Sequence, residues 1–330
     1  MLISLETRHG LYLPELDLWL DPGRKKENAF VSHTHADHFA RHQNILCSRP
    51  TAHILRARYN VARERLRPHP FHELLTIGGF QLQLLPAGHI FGSAMLHVTR
   101  TADGASLLYT GDFKVRRSLT SEEPVFRHAD TLVMETTFGN PSWVFPPETE
   151  HSGSILNFVN ESMEAGRVPA LLAYSLGKAQ EAFAILDQAR IPVVQHPAVA
   201  KMTTACREAG CGLSEPIPFQ STVPEGHALL CPPNAIRADP YAAIKNLRTA
   251  MLSGWALDPS AIYRFGVDVA FPLSDHADFP GLLEAVKRVD PQRVLTVHGY
   301  TREFAAELRR QNYDAWSIDG GDQLEMNLQP

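Results

Sequence analysis

Cysteine is scarce in this chain of 330 residues, and its few thiols are widely spaced. The four cysteines form no CxxC pair, which argues against a disulfide framework and against a zinc site built on cysteine. We therefore expect buried thiols at all four positions, which are Cys47, Cys206, Cys211 and Cys231.

The sequence also lacks any apolar stretch of the roughly 18 residues that a membrane span needs. Its first six residues have neither the basic start nor the long apolar core of a signal peptide. Apolar residues make up 44% of the chain and charged residues 20%, which is typical of a globular protein. These features predict a cytoplasmic protein with no membrane partner.

An overall excess of positive charge is missing as well. The formal net charge is −5 at pH 7, so the whole chain has no general attraction to nucleic acid. Local basic clusters remain, and two of the three lie close in sequence to the candidate metal-binding motifs. The three basic clusters are residues 24–26, the five arginines between positions 56 and 67, and a group formed by Lys114, Arg116 and Arg117.

The most informative segment is the histidine-rich run HTHADH at residues 33–38. It follows a short apolar segment, which predicts a buried strand that ends in a loop, where proteins often place catalytic groups. In an extended backbone His33 and His35 face the same way and can share one metal. Asp37 and His38 lie beyond the bend and can hold a second. Imidazole with carboxylate suits Zn²⁺, Mn²⁺ or Fe²⁺.

Two metals need further ligands, including a third histidine and a bridging carboxylate. His89 follows a predicted strand and has glycines on both sides, which let the backbone approach an ion closely. Asp112 follows a glycine at another strand end and could bridge two cations. His151 and His298 are the alternatives for the last ligand. We favour His298 because it ends a clean strand pattern, and catalytic groups are best held on rigid elements.

The pattern of predicted elements changes twice along the chain. Short strands and turns dominate up to about residue 140, whereas helices alternate with short strands between 141 and 270, as in an α/β unit. From residue 271 the chain returns to loop, helix and strand. The predicted strands are 80–84, 94–98, 106–110, 131–134, 168–173, 191–194 and 293–297, and the predicted helices are 154–165, 178–189, 198–209, 279–289 and a last one capped by Thr301.

Together these motifs resemble the metallo-β-lactamase fold. The resemblance is carried by the run at 33–38, by His89 and Asp112, and by the distant His298. The segments ETTFG at 135–139 and SDHAD at 274–278 are similar to those of the β-CASP nuclease branch of that fold. The phrases YSLGKAQ at 174–180, LSGW at 252–255 and VHGY at 297–300 make the resemblance more specific.

Within that branch the chain resembles the compact bacterial ligase-associated DNA exonucleases. These are related to Artemis-type repair nucleases and to the endonucleases of mRNA 3′-end processing. The resemblance implies an α/β protein in which an αββα metallo-β-lactamase sandwich, residues 1–140 and 271–330, is interrupted by an inserted α/β β-CASP domain, residues 141–270. It also implies a role in DNA repair, in a pathway with a DNA ligase and a helicase as partners.

The resemblance implies a specific set of site residues. His33, His35 and His89 would hold one zinc, Asp37, His38 and His298 the other, with Asp112 as the bridge; manganese is the alternative metal. We assign Asp37 a catalytic role in addition to its role as a metal ligand. Asp21, rather than Asp17, matches the early family aspartate that supports the ligands from behind. His298 distinguishes the chain from Artemis-type enzymes, which lack a histidine there.

Glu135 and His276 match the family pair that acts on the leaving group. Two metals lower the pKa of a bridging water toward 7, while a histidine can supply the proton that the leaving oxygen needs. We assign this proton to His276, with Glu135 orienting the ring and keeping it protonated. Ser175 and Lys178 open a predicted helix and are candidate contacts to a substrate phosphate.

Three readings of function stay open. The favoured one is a two-zinc nuclease that cuts DNA from an end, but the RNA-processing relatives share all the same ligands. The second is a hydrolase of a thioester, lactone or lactam, with His151 as the ligand and the inserted region as a lid. The third is a nucleic-acid-binding scaffold with an inactive site, which is disfavoured because every expected ligand type is present.

Overall fold

The fold is taken from a computed structural model of the chain, which describes residues 1–7 and 9–318. Within these residues the chain forms 18 strands and seven α-helices. The strands are β1 Leu11–Leu13, β2 Leu18–Leu20, β3 Asn28–Phe30, β4 Asn44–Ser48, β5 Leu66–His69, β6 Leu74–Ile77, β7 Phe80–Pro86, β8 Ala94–Arg100, β9 Ser106–Tyr109, β10 Thr131–Thr136, β11 Val168–Leu172, β12 Val193–Gln195, β13 Ile217–Pro218, β14 Ala228–Cys231, β15 Leu247–Leu252, β16 Val269–Phe271, β17 Arg293–Gly299 and β18 Asp314–Ser317. The helices are α1 Arg49–Tyr59, α2 Glu148–Glu164, α3 Lys178–Gln188, α4 Pro197–Glu208, α5 Ala261–Phe265, α6 Phe279–Val289 and α7 Thr301–Arg310.

The chain divides into two compact units. Unit 1 contains residues 1–117, 121–144 and the chain from residue 276 to the last described residue; unit 2 contains residues 118–120 and 145–275. The insertion expected from the sequence, residues 141–270, overlaps the 145–275 segment of unit 2, and residues 118–120 of unit 2 lie outside it. Residues 319–330 of the expected last segment lie outside the described residues.

Unit 1 is built from two stacked sheets. One has the strand order β1-β2-β3-β4-β5 and the other β18-β17-β10-β9-β8-β7-β6. A continuous core lies between them, in which Leu20 and Phe30 of the first sheet belong to the same buried cluster as Leu84 and Tyr109 of the second. Each fully buried side chain of this size contributes about 1.5–3 kcal/mol to folding, so this interface stabilises unit 1 substantially.

Helices cover the outer faces of both sheets. Leu55 of α1 belongs to a buried cluster with Ile45 of β4, while Leu282 of α6 and Leu308 of α7 are buried in a cluster with Leu132 of β10. The layers therefore run helix, sheet, sheet, helix. The αββα sandwich predicted from the sequence is confirmed.

Unit 2 is an α/β unit with a six-stranded sheet in the order β13-β12-β14-β11-β15-β16. All of its strand pairs are parallel. Its central strands β11 and β14 are short runs of mostly buried apolar residues, as expected for a parallel sheet covered by helices. The alternation of helix and strand in the sequence predicted this architecture.

Several element predictions can be compared with the structure directly. Helix α6 has the predicted bounds, with the Asp278 carboxylate accepting a hydrogen bond from Gly281 N at 3.0 Å as its N-terminal cap. Thr301 as the cap of α7 is wrong: Tyr300 occupies the cap position, and the Thr301 hydroxyl is instead hydrogen-bonded to Ser317 Oγ at 2.9 Å. All four cysteines are buried, as predicted.

Helix α1 is absent from the sequence-based prediction. Its start carried a readable signal, because Ser48 caps it by accepting a hydrogen bond from Thr51 N at 3.1 Å and a proline follows in the first turn. None of the helices in the described ranges is long and apolar enough to cross a membrane.

Replacing Leu308 with alanine should test the helix layer on the second sheet. Leu308 is fully buried, so we expect Leu308→Ala to lower the free energy of unfolding by about 2–5 kcal/mol. Leu74→Ala is the matched control, because this leucine is 60% exposed and its truncation should cost less than about 1 kcal/mol. Urea unfolding followed by tryptophan fluorescence measures both; equal losses would contradict burial of Leu308 beneath the helix layer.

Candidate metal centre and catalytic pair

Four predicted ligands meet at one end of the sandwich in unit 1. Potential ligand atoms of His33, His35, His89 and Asp112 all lie within 4.8 Å of one another. They come from loops that follow β3 in one sheet and β7 and β9 in the other. The strand ends of both sheets therefore deliver side chains to a single cluster, as the sequence predicted for these four residues.

The distances within this cluster suit a divalent ion. The His33 and His89 Nε2 atoms lie 3.5 and 3.7 Å from Asp112 Oδ2, and His89 Nε2 lies 3.1 Å from His35 Nδ1. Ligand atoms at about 2.0–2.1 Å from a tetrahedral zinc are separated from one another by about 3.4 Å. The spacing therefore fits a shared metal ion.

His33 provides a further test of this fit. Its Nε2 atom is buried and makes no hydrogen bond, although buried polar atoms normally have a partner. Burial, together with the neighbouring histidines, holds the pKa of His33 well below its ordinary value of 6.5. The ring is therefore neutral, which is the form that a metal ion binds.

A second group surrounds the same carboxylate. His38 Nε2 lies 3.2 Å from Asp112 Oδ2 and 3.8 Å from Asp37 Oδ2, and the ring centroid of His298 is 5.6 Å from that of His38. Asp37 and His298 are exposed, on the outer side of the group. One oxygen of Asp112 thus faces His33, His38 and His89, as a bridging ligand would.

The electrostatics of this centre favour positive charge beside Asp112. Burial by itself lowers the pKa of His38, but the Asp112 charge and the hydrogen bonds that the ring donates to Asp112 and Asp21 outweigh it and raise that pKa well above 6.5. Burial alone would raise the pKa of Asp112, yet the charge and hydrogen bond of His38 bring it well below 3.8. Asp112 is therefore ionised, and a proton or a metal ion can balance its charge.

Asp21 holds the ligand loops from behind. Its carboxylate accepts hydrogen bonds from Ser32 N at 2.7 Å, Ser32 Oγ at 2.5 Å and Tyr109 OH at 2.9 Å, and it lies 3.0 Å from His38 Nδ1. Gly111 permits this close packing, since a Cβ there would lie 2.6 Å from the Ser32 side chain. Asp17, the competing candidate, instead contacts Tyr12 OH at 2.8 Å and the Asn28 amide.

The predicted catalytic pair is formed next to the ligand cluster. His276 Nδ1 lies 2.8 Å from Glu135 Oε1, and the His276 ring centroid is 4.6 Å from that of His89. Glu135 is fully buried at the end of β10 and accepts hydrogen bonds from Phe113 N at 3.2 Å and Thr137 N at 3.0 Å. The carboxylate is therefore rigidly held and fixes the orientation of the His276 ring.

Two residues that sequence reasoning missed brace the histidine-rich loop. Arg58 Nη1 and Tyr59 OH both donate to the Thr34 carbonyl, at 3.0 and 3.2 Å. Both belong to α1, whose existence was not predicted. The sequence analysis noted Arg58 only as a member of the arginine cluster between positions 56 and 67.

The remaining candidates belong to unit 2. His151 lies in α2 and joins none of the clusters of potential metal ligands found in the described part of the chain. Lys178 is buried and its ammonium donates a hydrogen bond to Asp275, while Ser175, three residues earlier, is half-buried. Contact of Ser175 and Lys178 with a phosphate stays a prediction.

The supporting role of Asp21 can be tested by metal content. We expect Asp21→Asn to lower metal affinity by roughly 10- to 100-fold, because partners that orient ligands have effects of this size. Asp17→Asn is the control, since Asp17 is also an aspartate with a left-handed backbone, φ 45° against 43° for Asp21. Inductively coupled plasma mass spectrometry after dialysis measures both; equal metal loss in the two variants would contradict the role assigned to Asp21.

Comparison with known proteins agrees with this geometry. Residues 269–318 match the family described as "Zn-dependent metallo-hydrolase RNA specificity domain". A protein of Opitutus terrae named "Probable DNA ligase" is 45% identical over 98% of this chain, which covers 32% of that protein. The DNA cross-link repair protein SNM1 of Arabidopsis thaliana is 28% identical over 45% of the chain, again covering 32% of its length.

The chain thus spans about a third of the length of these relatives. Among solved structures, a protein of unknown function from Enterococcus faecalis V583 superposes with a TM-score of 0.60 at 14% sequence identity. The superposition covers 84% of this chain and 76% of that protein's chain, so the two share a fold. The site binds a metal, as the histidine and aspartate cluster and the matched metallo-hydrolase family indicate. These matches support a place for the chain in the β-CASP branch of the metallo-β-lactamase fold.

Proposed function

We propose that the protein is a two-metal nuclease that hydrolyses phosphodiester bonds in DNA and acts in DNA repair. The observation that carries this proposal is the Glu135–His276 pair beside the ligand cluster. Hydrolysis of a phosphodiester expels an alkoxide, which needs a proton in the transition state. A histidine oriented by a buried carboxylate next to the metal ligands is suited to supply it.

Seven side chains would hold two ions. His33, His35 and His89 would bind one, Asp37, His38 and His298 the other, and the Asp112 carboxylate both. Zinc is the preferred metal because nitrogen and carboxylate ligands at this spacing suit it, with manganese as the alternative. When bound, such a pair of ions activates water and neutralises charge on phosphate oxygens.

The protein's own residues account for the proton. His276 turns Nδ1 to Glu135 and can donate from Nε2 to the leaving oxygen. The Glu135 carboxylate stabilises the charged ring, while its two backbone hydrogen bonds, from Phe113 and Thr137, prevent it from turning away. Asp21 keeps His38 in place through its Nδ1 atom.

The names of relatives support DNA as the substrate and a link to ligation. One similar protein is named a probable DNA ligase and another a DNA cross-link repair protein, so a DNA ligase is the partner that we favour. A helicase partner and a cytoplasmic location remain expectations from the sequence. RNA cleavage is the second candidate, because residues 269–318 match a domain described by RNA specificity.

Replacing His276 should separate the chemistry from metal binding. We expect His276→Ala to reduce the rate of phosphodiester cleavage by roughly 10²- to 10⁴-fold while the metal content stays unchanged. His151→Ala is the matched histidine control and should retain both metal and cleavage. Unchanged cleavage in His276→Ala, together with metal loss in His151→Ala, would instead favour the compact hydrolase alternative.

Removing the metal and varying the substrate tests the proposal as a whole. Chelation should abolish cleavage, and zinc or manganese should restore it, because the water needs a metal to be activated near neutral pH. End-labelled single- and double-stranded DNA and RNA then give product ladders. Shortening of DNA from an end is expected; exclusive cleavage of RNA would overturn the DNA assignment, and internal cuts alone would overturn the exonuclease assignment.

A further inference from the structure

Unit 1 has a groove of about 920 Å³ that begins at the candidate metal centre. Asp37 and His298, two of the proposed metal ligands, line one part of it. The lining continues along Trp19, Arg24 and Lys26. Ligand-binding clefts usually measure about 300–1,000 Å³, so this groove can hold a molecule the size of a nucleotide in addition to the reacting group.

The charged residues of the groove divide into two groups. Its two carboxylates, Asp21 and Asp37, both belong to the candidate metal centre or its support. The other charged side chains in its lining, Arg24 and Lys26, are both cationic. Away from the metal centre the groove is therefore suited to an anion.

The backbone and side chain of Lys26 are held in place. Its ammonium lies 3.2 Å from the centroid of the Trp19 ring, and Tyr12 stacks on the same indole at 4.5 Å. Its backbone N–H donates to His42 Nδ1 at 3.2 Å and its carbonyl accepts from Gln43 N at 3.0 Å. The aromatic ring positions the ammonium, whose N–H groups can still donate to a phosphate.

We propose that Arg24 and Lys26 bind a phosphate of the substrate strand that neighbours the scissile phosphodiester, on the His298 side of the metal centre. This inference rests on the proposed nuclease function. The same groove is lined by the candidate metal ligands Asp37 and His298 and by the cations Arg24 and Lys26. A strand held at the metal centre would therefore extend past these two cations. An internal phosphodiester and a terminal phosphate share the chemistry that Arg24 and Lys26 recognise, and the experiment distinguishes them.

Lys26→Met and Lys25→Met form a matched pair for this test. Methionine keeps an apolar stem over the indole but removes the charge, and Lys25 is an exposed neighbour that does not line the groove. Binding is measured by fluorescence anisotropy of metal-loaded protein with a labelled phosphorothioate DNA oligonucleotide, which resists cleavage. Metal content and melting temperature are recorded for both variants.

We expect Lys26→Met to weaken binding by roughly three- to tenfold and to reduce the slope of log Kd against log salt by about 0.7, the value for one phosphate contact on a single strand. Lys25→Met should change Kd by less than about twofold. Loss of affinity only for 5′-phosphorylated DNA identifies a terminal phosphate, whereas equal loss for 5′-hydroxyl DNA identifies an internal one. Either result supports the proposal that this groove binds a substrate phosphate.

Two outcomes would overturn the proposal, and they differ in what they leave standing. If Lys25→Met and Lys26→Met weaken DNA binding equally while the wild-type protein binds and cleaves DNA, the groove is not the phosphate site, but the nuclease function stands. If the wild-type protein neither binds this oligonucleotide nor cleaves ordinary DNA, both the phosphate site and the nuclease function are contradicted.

Discussion

A single buried carboxylate oxygen, Asp112 Oδ2, organises the functional end of unit 1. It lies 3.5, 3.2 and 3.7 Å from the nearest ring nitrogens of His33, His38 and His89. An ionised carboxylate is costly to bury unless positive charge or hydrogen bonds compensate it. His38, whose pKa is raised well above 6.5 beside this carboxylate, supplies compensating charge, while the neutral ring of His33 keeps a nitrogen lone pair for a cation.

This centre depends on the packing of the two sheets. Asp21 and Ser32 come from the first sheet's loops, whereas Tyr109 and Gly111 come from the end of β9 in the second. Their hydrogen bonds cross the sandwich where Phe30 and Tyr109 meet edge to face at 6.2 Å. A shift between the sheets would change the ligand distances, so the apolar core and the metal centre are parts of one structural constraint.

The places of the candidate ligands could be predicted from local pattern, whereas the sandwich was implied by the family resemblance. His33, His89 and Asp112 each follow a short apolar strand, so their position at a strand end could be read directly. The hydrogen bonds from Arg58 and Tyr59 to the Thr34 carbonyl could not be predicted in this way, because they depend on the tertiary packing of α1. Strand β10 extends to Thr136 because it pairs with β17 as far as Gly299, and such pairing is invisible in a single strand's composition.

The proposed assignments also give the site a direction. His276 stands beside His89, on the side of the first ligand group, whereas the groove opens from Asp37 and His298, which belong to the second. On these assignments the leaving oxygen would take its proton on the His276 side, and the cationic groove would hold the strand on the other side. Because Lys26 is fixed by Trp19 and by its own backbone, this second contact would limit how far a bound strand could slide past the candidate metal ligands.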